Sequence, residues 1–293
     1  MRNNARDWFR RARRSVKTTT GLISEAFAKG IEEYRIDYEL AICLKFKNAG
    51  RYLKEWIEFH RLVGVEHFYL YNHKSDDDFQ EVLAPYIAQG IVTLNHCHGE
   101  LVFPEADLHC FKHYAHEARW IAFLDDDEFL FPVTGDDLRK VLRKYQNYPG
   151  LAVHWRVFGA SGHDQRPEGL VVENYTRCRA RIEHIIKSIV NPRKVLRPKS
   201  VHYPLYKNGE LAVNEKRITV KISNSRPAVA DVIRINHYYS KSLQDFREKL
   251  ARGYGDQWGL DNPRSLDYDQ ALDAEEDLLI QRFVPQLKRA MKL

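Results

Sequence analysis

The stretch Trp120-Ile-Ala-Phe-Leu-Asp-Asp-Asp-Glu-Phe-Leu-Phe-Pro132 sets three aspartates and a glutamate directly behind an apolar run. Asp125 to Glu128 are four consecutive carboxylates with no basic residue among them. Left unpaired, such charges repel one another and resist burial. A hard divalent ion with oxygen ligands, Mg²⁺ or Mn²⁺, answers both problems and leaves positions open for substrate phosphates. A solvated acidic turn is the plainer reading, but such turns rarely sit between two wholly apolar runs.

Outward from this stretch, apolar runs and helical spacings alternate. Tyr38 to Phe46 reads as a first strand, and Gly50 to Val63 as a helix with Tyr52, Leu53, Trp56, Ile57 and His60 on one face. Val65 to Tyr71 is a second strand, Phe79 to Gln89 a helix, Ile91 to Leu94 a third strand, and Leu108 to Arg119 a helix feeding Trp120 to Leu124. Strand and helix in alternation predict an α/β fold with an open, mainly parallel sheet flanked by helices. Ligands of such sheets lie beyond the carboxyl ends of the strands, where the polar loops after Phe46, Tyr71 and Leu124 converge. Past Gly150 the pattern shortens to strand-like runs at 151–158, 169–172, 216–222 and 232–236, which predicts a mixed-sheet C-terminal half. Lys241 to Arg252 reads as a helix capped by Gly253, and residues 256–293 as a loop and a final helix.

Composition excludes several classes. With 44% apolar and 29% charged residues the 293-residue chain is globular. Residues 1–17 carry seven basic residues against Asp7 alone, a charge of +6, which equals the formal charge of the whole chain. The remainder therefore sums to zero, which argues against a nucleic-acid-binding body. On a helix, Ala5, Trp8, Phe9, Ala12 and Val16 would oppose those arginines, an arrangement suited to an anionic membrane surface; an unstructured basic leader is the alternative. No run of 18 apolar residues and no signal-peptide core is present. Cys43, Cys97, Cys110 and Cys178 lack C-x-x-C spacing and read as free, buried thiols of a reducing compartment, with one disulfide left open.

Five stretches, in order, carry a resemblance. They are Lys47-Asn48 with Tyr52-Leu-Lys-Glu-Trp-Ile-Glu-Phe-His60; Val65 to Asp77; Trp120 to Phe129; Trp155-Arg-Val-Phe-Gly-Ala-Ser-Gly-His163; and Ile235-Asn-His-Tyr-Tyr-Ser-Lys-Ser242 with Phe246 to Gly253. Together they resemble glycosyltransferase family 92 and its bacterial relatives, of the GT-A fold, over about Glu39 to Gly253. The resemblance implies a basic tail at 1–20, a catalytic domain at 21–255 and a C-terminal helical segment at 256–293. Within the domain, a nucleotide-binding half falls at about 38–132 and an acceptor half at about 150–240.

It further implies a metal-dependent, inverting transfer of a sugar from a nucleotide sugar, with UDP foremost, to a polysaccharide or glycolipid acceptor. Asp125 and Asp127 would face Mn²⁺ or Mg²⁺, Asp127 as the direct ligand. His237 would complete the metal shell or else be satisfied within the sheet. Lys47, Asn48, Asn72, Asp77, Asp125, His163 and Lys241 would line the donor, although Asn72 and Asp77 also suit an Asx-type turn. Lys249 and Arg252 share the motif of Lys241, with exposed helix charges as the alternative. Glu128 and Trp155 would orient a neighbour or the acceptor. An inverting enzyme needs a general base, for which Asp164, Glu168 and Glu173 are candidates, with a slight preference for Asp164.

Ala49 departs from the family, which carries Glu after Lys-Asn. His109, His113 and His116 share a helical face that could hold zinc, as could His96, Cys97 and His98, but no fourth ligand is evident. The protein is expected in the cytoplasm, with the cytoplasmic face of a membrane as a second option. Two rivals stand beside this reading: a metal-dependent nucleotidyltransferase, and a non-catalytic, membrane-associated carbohydrate-binding protein. The first is disfavoured by a single glycine in Lys47-Asn-Ala-Gly50-Arg51.

Overall fold

The computed structural model describes residues 36–99, 103–252 and 270–293. The basic stretch 1–17, expected at a membrane surface, lies outside the described residues. Strand β1 (Tyr38–Phe46) is the spine of the first half. Leu40 to Leu44 are fully buried, as a strand covered on both faces must be. It pairs in parallel with β2 (His67–Asn72) on one side and β4 (Ala118–Leu124) on the other, and β3 (Val92–His96) continues in parallel beyond β2.

Helix α1 (Gly50–Leu62) returns over this sheet with Leu53, Trp56, Ile57 and His60 buried. Helix α2 is Phe79–Ala88. Helix α3 occupies Glu105–Tyr114 rather than the expected 108–119. Sheet pairing explains the difference, since Tyr38 opposite Ala118 draws residues 118 and 119 into β4.

The second half is mixed. Strand β5 (Glu128–Pro132) pairs antiparallel with β13 (Ile233–Tyr238), which runs parallel to β6 (Gly150–Phe158). Strand β8 (Ile186–Val190) joins the halves, antiparallel to both β4 and β6. The sheet extends past β6 to β11 (Ala212–Asn214) and β12 (Thr219–Val220), the latter shorter than the 216–222 run predicted. The strand expected at 169–172 is instead a loop entering a single helical turn, α5 (Val171–Asn174). Glu55 on α1 accepts from Val171 N at 2.8 Å and Val172 N at 3.0 Å, so a carboxylate from another element caps that turn.

One face of β5 lacks a neighbouring strand, and α1 supplies its hydrogen bonds. Trp56 Nε1 donates to Glu128 O at 2.8 Å, and Leu130 N donates to His60 Nε2 at 3.1 Å. His60 Nδ1 in turn lies 2.8 Å from Trp56 O, and burial lowers its pKa to about 3, so the ring is neutral with one nitrogen free to accept. The strand that follows the carboxylates is thus held on both edges.

The C-terminal residues pack on this frame. Helix α7 (Val284–Met291) lies against α1, where Lys54 Nζ donates to Met291 O at 3.0 Å. Phe283 packs 5.5 Å from Phe59 and 6.0 Å from Phe131, ring centre to ring centre. Among the described residues, no helix is long and apolar enough to cross a membrane, and the four cysteines are buried and free.

Candidate functional site

The four carboxylates form a tight turn between β4 and β5, at the carboxyl edge of the parallel strands. Glu128 N donates to Asp125 O at 3.1 Å, and Asp125 N donates back to Glu128 Oε2 at 3.0 Å. The backbone of Asp127 is fixed from the other side, where Tyr238 N donates to Asp127 O at 2.8 Å. Strand β13 therefore brings His237 opposite Glu128, 109 residues on in sequence.

Asp125 and Asp127 each meet a different lysine. Lys187, from the middle of β8 and with a side chain only 2% exposed, lies 2.7 Å from Asp125 Oδ2 and 3.6 Å from Glu128 Oε2. Lys249, on helix α6 (Leu243–Arg252), lies 2.6 Å from Asp127 Oδ2. His237 Nε2 approaches Asp127 Oδ1 to 3.4 Å. Nearby, Lys45 pairs with the buried Asp107 at 2.5 Å.

These contacts set the protonation states. Burial opposes ionisation of Asp127, but Lys249 and His237 outweigh it and hold the carboxyl well below the usual range. Burial likewise opposes ionisation of Asp125, and Lys187 reverses that. Glu128 goes the other way: burial, with Asp125 and Asp127 beside it, raises its pKa well above normal despite Lys187. Neighbouring carboxyls resist ionising together, and the penalty falls most heavily on the most buried. Burial also lowers His237 against the pull of Asp127, which leaves a neutral imidazole able to ligate.

Rings wall the far side. Trp155 packs 4.4 Å from His237 and 5.3 Å from His202, and His202 is driven to a pKa of about 3 by burial and then by Lys187. Among the described residues, Trp155 Nε1, His237 Nδ1 and Glu128 Oε1 are buried polar atoms without a hydrogen-bond partner, as are atoms elsewhere in the molecule. At this edge of the sheet they are groups that a bound molecule or ion could satisfy.

Asp125, Asp127, Glu128, Trp155 and His237 are thus brought together at one edge of the sheet. Other candidates are not at this cluster, or are held by loop structure. The loops after β1 and β2 are laced to each other: Asn48 N donates to Ser75 Oγ at 2.8 Å, Asp76 N to Asn48 Oδ1 at 3.0 Å, and Gly50 N to Asp77 Oδ2 at 2.6 Å. A Cβ on Gly50 would lie 2.4 Å from Asp78 Oδ1 and 2.9 Å from Phe79 N, so the close approach requires glycine. Asn72 Oδ1 accepts from Ser75 N at 3.0 Å, the Asx-type turn expected as the alternative. Lys47 stands at the head of the same loop pair.

Lys241 is buried with its ammonium 4.3 Å over the Tyr52 ring and lowers the pKa of both Asp127 and Glu55. His163 Nε2 lies 3.3 Å from Asn174 O, a structural contact. Of the base candidates, Asp164 and Glu168 are exposed on the loop before α5, and Glu173 pairs with Lys288 of α7 at 2.7 Å. That loop is fastened to the start of α6. Leu243 N donates to His163 O and Gln244 N to Asp164 O, both at 3.0 Å, and Arg166 Nε donates to Asp245 Oδ1 at 2.7 Å.

His109 stacks on His113 at 4.2 Å and is 3.0 Å from the Tyr71 hydroxyl. Among the described residues, no three His, Cys, Asp or Glu side chains are arranged to enclose a metal ion, at this helix or elsewhere.

Sequence reasoning passed over Lys187 and His202 and set Lys249 aside as a surface charge. A signal for Lys187 existed: Ile186-Lys-Ser-Ile-Val190 is a strand-like run interrupted by one lysine, a residue seldom buried without an acid to meet.

Comparison with known proteins places this geometry. Residues 38–252 match the family model of glycosyltransferase family 92. A family 92 protein of Ricinus communis is 30% identical over 225 residues, covering 73% of this chain and 38% of its own. One of Oryza sativa subsp. japonica is 29% identical over 221 residues, covering 73% of this chain and 35% of its own. The chain spans well under half the length of these curated relatives. Among solved structures, S. aureus TarS in complex with UDP aligns with a TM-score of 0.40 at 12% identity, over 72% of this chain and 63% of that one.

Proposed function

We propose that this chain, which belongs to glycosyltransferase family 92, transfers a sugar from a nucleotide sugar, foremost a UDP-sugar, to a hydroxyl of a saccharide or glycolipid. The observation that carries this reading is the seat of Asp127, an ionised and nearly buried carboxylate between His237 and Lys249 at the carboxyl edge of a parallel sheet. Open α/β sheets bind their ligands at that edge.

The donor set suits Mn²⁺ or Mg²⁺. Such ions bind through one or two carboxylates and substrate phosphates and keep several waters, so a closed protein cage is not needed. Asp127 and the neutral His237 would hold the ion, with Asp125 alongside, and a bound ion would neutralise the departing diphosphate. The chain's own groups do the rest. Lys241 and Lys249 add positive charge where the diphosphate leaves, Glu128 in its neutral form braces the turn, and Trp155 offers a ring face to a sugar. The base of an inverting transfer is drawn from the loop before α5, Asp164 ahead of Glu168, since Glu173 is committed to Lys288.

A nucleotidyltransferase fits less well, because Asn48 N and Gly50 N already donate within the protein and cannot cradle a triphosphate. The deciding experiment is a panel of UDP-sugars incubated with the protein and Mn²⁺, with UDP release measured without and with saccharide acceptors. Metal-dependent UDP release that Asp127→Asn abolishes is the expected result. Failure of every nucleotide sugar to bind or turn over would leave the carbohydrate-binding alternative. Membrane association through residues 1–17 and a role in polysaccharide biosynthesis belong to the same proposal, tested by vesicle sedimentation of the full chain and of a chain lacking those residues.

A further inference from the structure

We infer that Lys249 is a donor-binding residue that stands in for the cation at Asp127 until donor arrives, and then passes to the diphosphate. The inference rests on the donor reading above and adds to it a specific exchange.

The ammonium of Lys249 sits where a metal ligated by Asp127 would draw its charge. It donates to Asp127 Oδ2 at 2.6 Å and to Tyr239 O at 2.9 Å, and lies 4.6 Å from the centre of the Tyr239 ring. Asp127 is buried between two basic side chains, and a carboxylate enclosed in this way is held by a positive partner. His237 and Lys249 take different oxygens of Asp127, and a divalent ion entering on the His237 side would repel the ammonium and weaken its hold on the shared carboxylate.

Lys249 is built to leave. Its side chain is 16% exposed, against 2% for Lys187, and it reaches the carboxylate along a flexible stem from a helix outside the sheet. The helix need not move, because its first turn is anchored independently. Ser242 Oγ donates to Asp245 Oδ2 at 2.6 Å, and Asp245 Oδ1 accepts from Tyr52 Oη at 2.6 Å. Released from Asp127, the ammonium meets the anion that arrives with the metal, as lysine does at many phosphate sites. His237 supports the exchange, since it can stay on the metal side of Asp127 while the lysine turns to the phosphate.

The test compares the native chain, Lys249→Met and Lys249→Arg. Mn²⁺ binding without nucleotide is followed by the loss of free-ion electron paramagnetic resonance signal, and UDP binding by calorimetry with Mn²⁺ present. Lys249→Met should bind Mn²⁺ alone at least ten-fold more tightly than the native chain, because the competing charge is gone. It should bind UDP with Mn²⁺ at least ten-fold more weakly. Lys249→Arg, which keeps the charge, should retain native Mn²⁺ binding and most of the UDP affinity. Unchanged or weaker Mn²⁺ binding by Lys249→Met would overturn the inference, as would unchanged UDP binding. Should Lys249→Met fail to fold, Lys249→Arg decides: a ten-fold gain in Mn²⁺ affinity with its charge intact would overturn the exchange. A native chain that binds no UDP under any metal condition sinks the donor reading itself, which is a separate failure.

Discussion

Asp125 and Asp127 are two residues apart and each holds a lysine, yet the two pairs are built differently. Asp125 meets a lysine planted in the central sheet, almost wholly enclosed and shared with Glu128. Asp127 meets a lysine on a peripheral helix, partly open to water and shared with a backbone carbonyl. The first pair is part of the frame. The second sits where chemistry would have to occur. Burial and attachment, more than sequence spacing, separate a structural ion pair from a working one.

The strongest way to break this contrast is to neutralise each acid in turn. Asp127→Asn should lower turnover by about 10³-fold, the scale of losing a group that acts on developing charge. Asp125→Asn should cost less, and steady-state UDP release measures both. Equal losses would erase the distinction. Next in size, Lys187→Met should destabilise the fold by about 3 kcal/mol in urea unfolding, because Asp125 loses the buried ammonium that lies 2.7 Å from it.

A carboxylate with no partner sharpens the point from the other side. Ala49 is fully buried in the core at the start of α1, so Ala49→Glu, the residue that the family resemblance implies, should lower stability by about 2 kcal/mol in the same assay. The smallest effect belongs to Glu128→Gln. Burial, with Asp125 and Asp127 beside it, works against its charge, and an amide oxygen can still accept from Asp125 N, so unfolding free energy should change by less than about 1 kcal/mol. A larger loss would mean that Glu128 is ionised.

Much of the parallel half could be read in advance. Leu40 to Leu44 is a continuous apolar run, and Leu53, Trp56, Ile57 and His60 keep helical spacing, so local pattern and tertiary burial agree. The carboxylate turn was visible because it follows an apolar strand, and Trp155 and His237 through the motifs that carry the family resemblance. The mixed half was harder. Strand β8 owes its existence to partners on both sides that lie far off in sequence, and its buried lysine looks like a reason against a strand until Asp125 is set beside it. The turn at 171–174 has an apolar run that suits a strand, and only Glu55, 116 residues earlier, makes it helical. Lys249 and Asp127 are separated by 122 residues, which no periodicity reveals.

The fastening of the 159–168 loop to the first turn of α6 has a consequence for how two substrates meet. The loop bearing Asp164 and the helix bearing Lys249 share at least five hydrogen bonds, so the two are mechanically joined. A saccharide settling on the loop would nudge the grip on Asp127, and a filled donor seat would in turn restrain the loop. On the proposed reading the two substrates would not bind independently, the second arriving at a surface the first has already tightened.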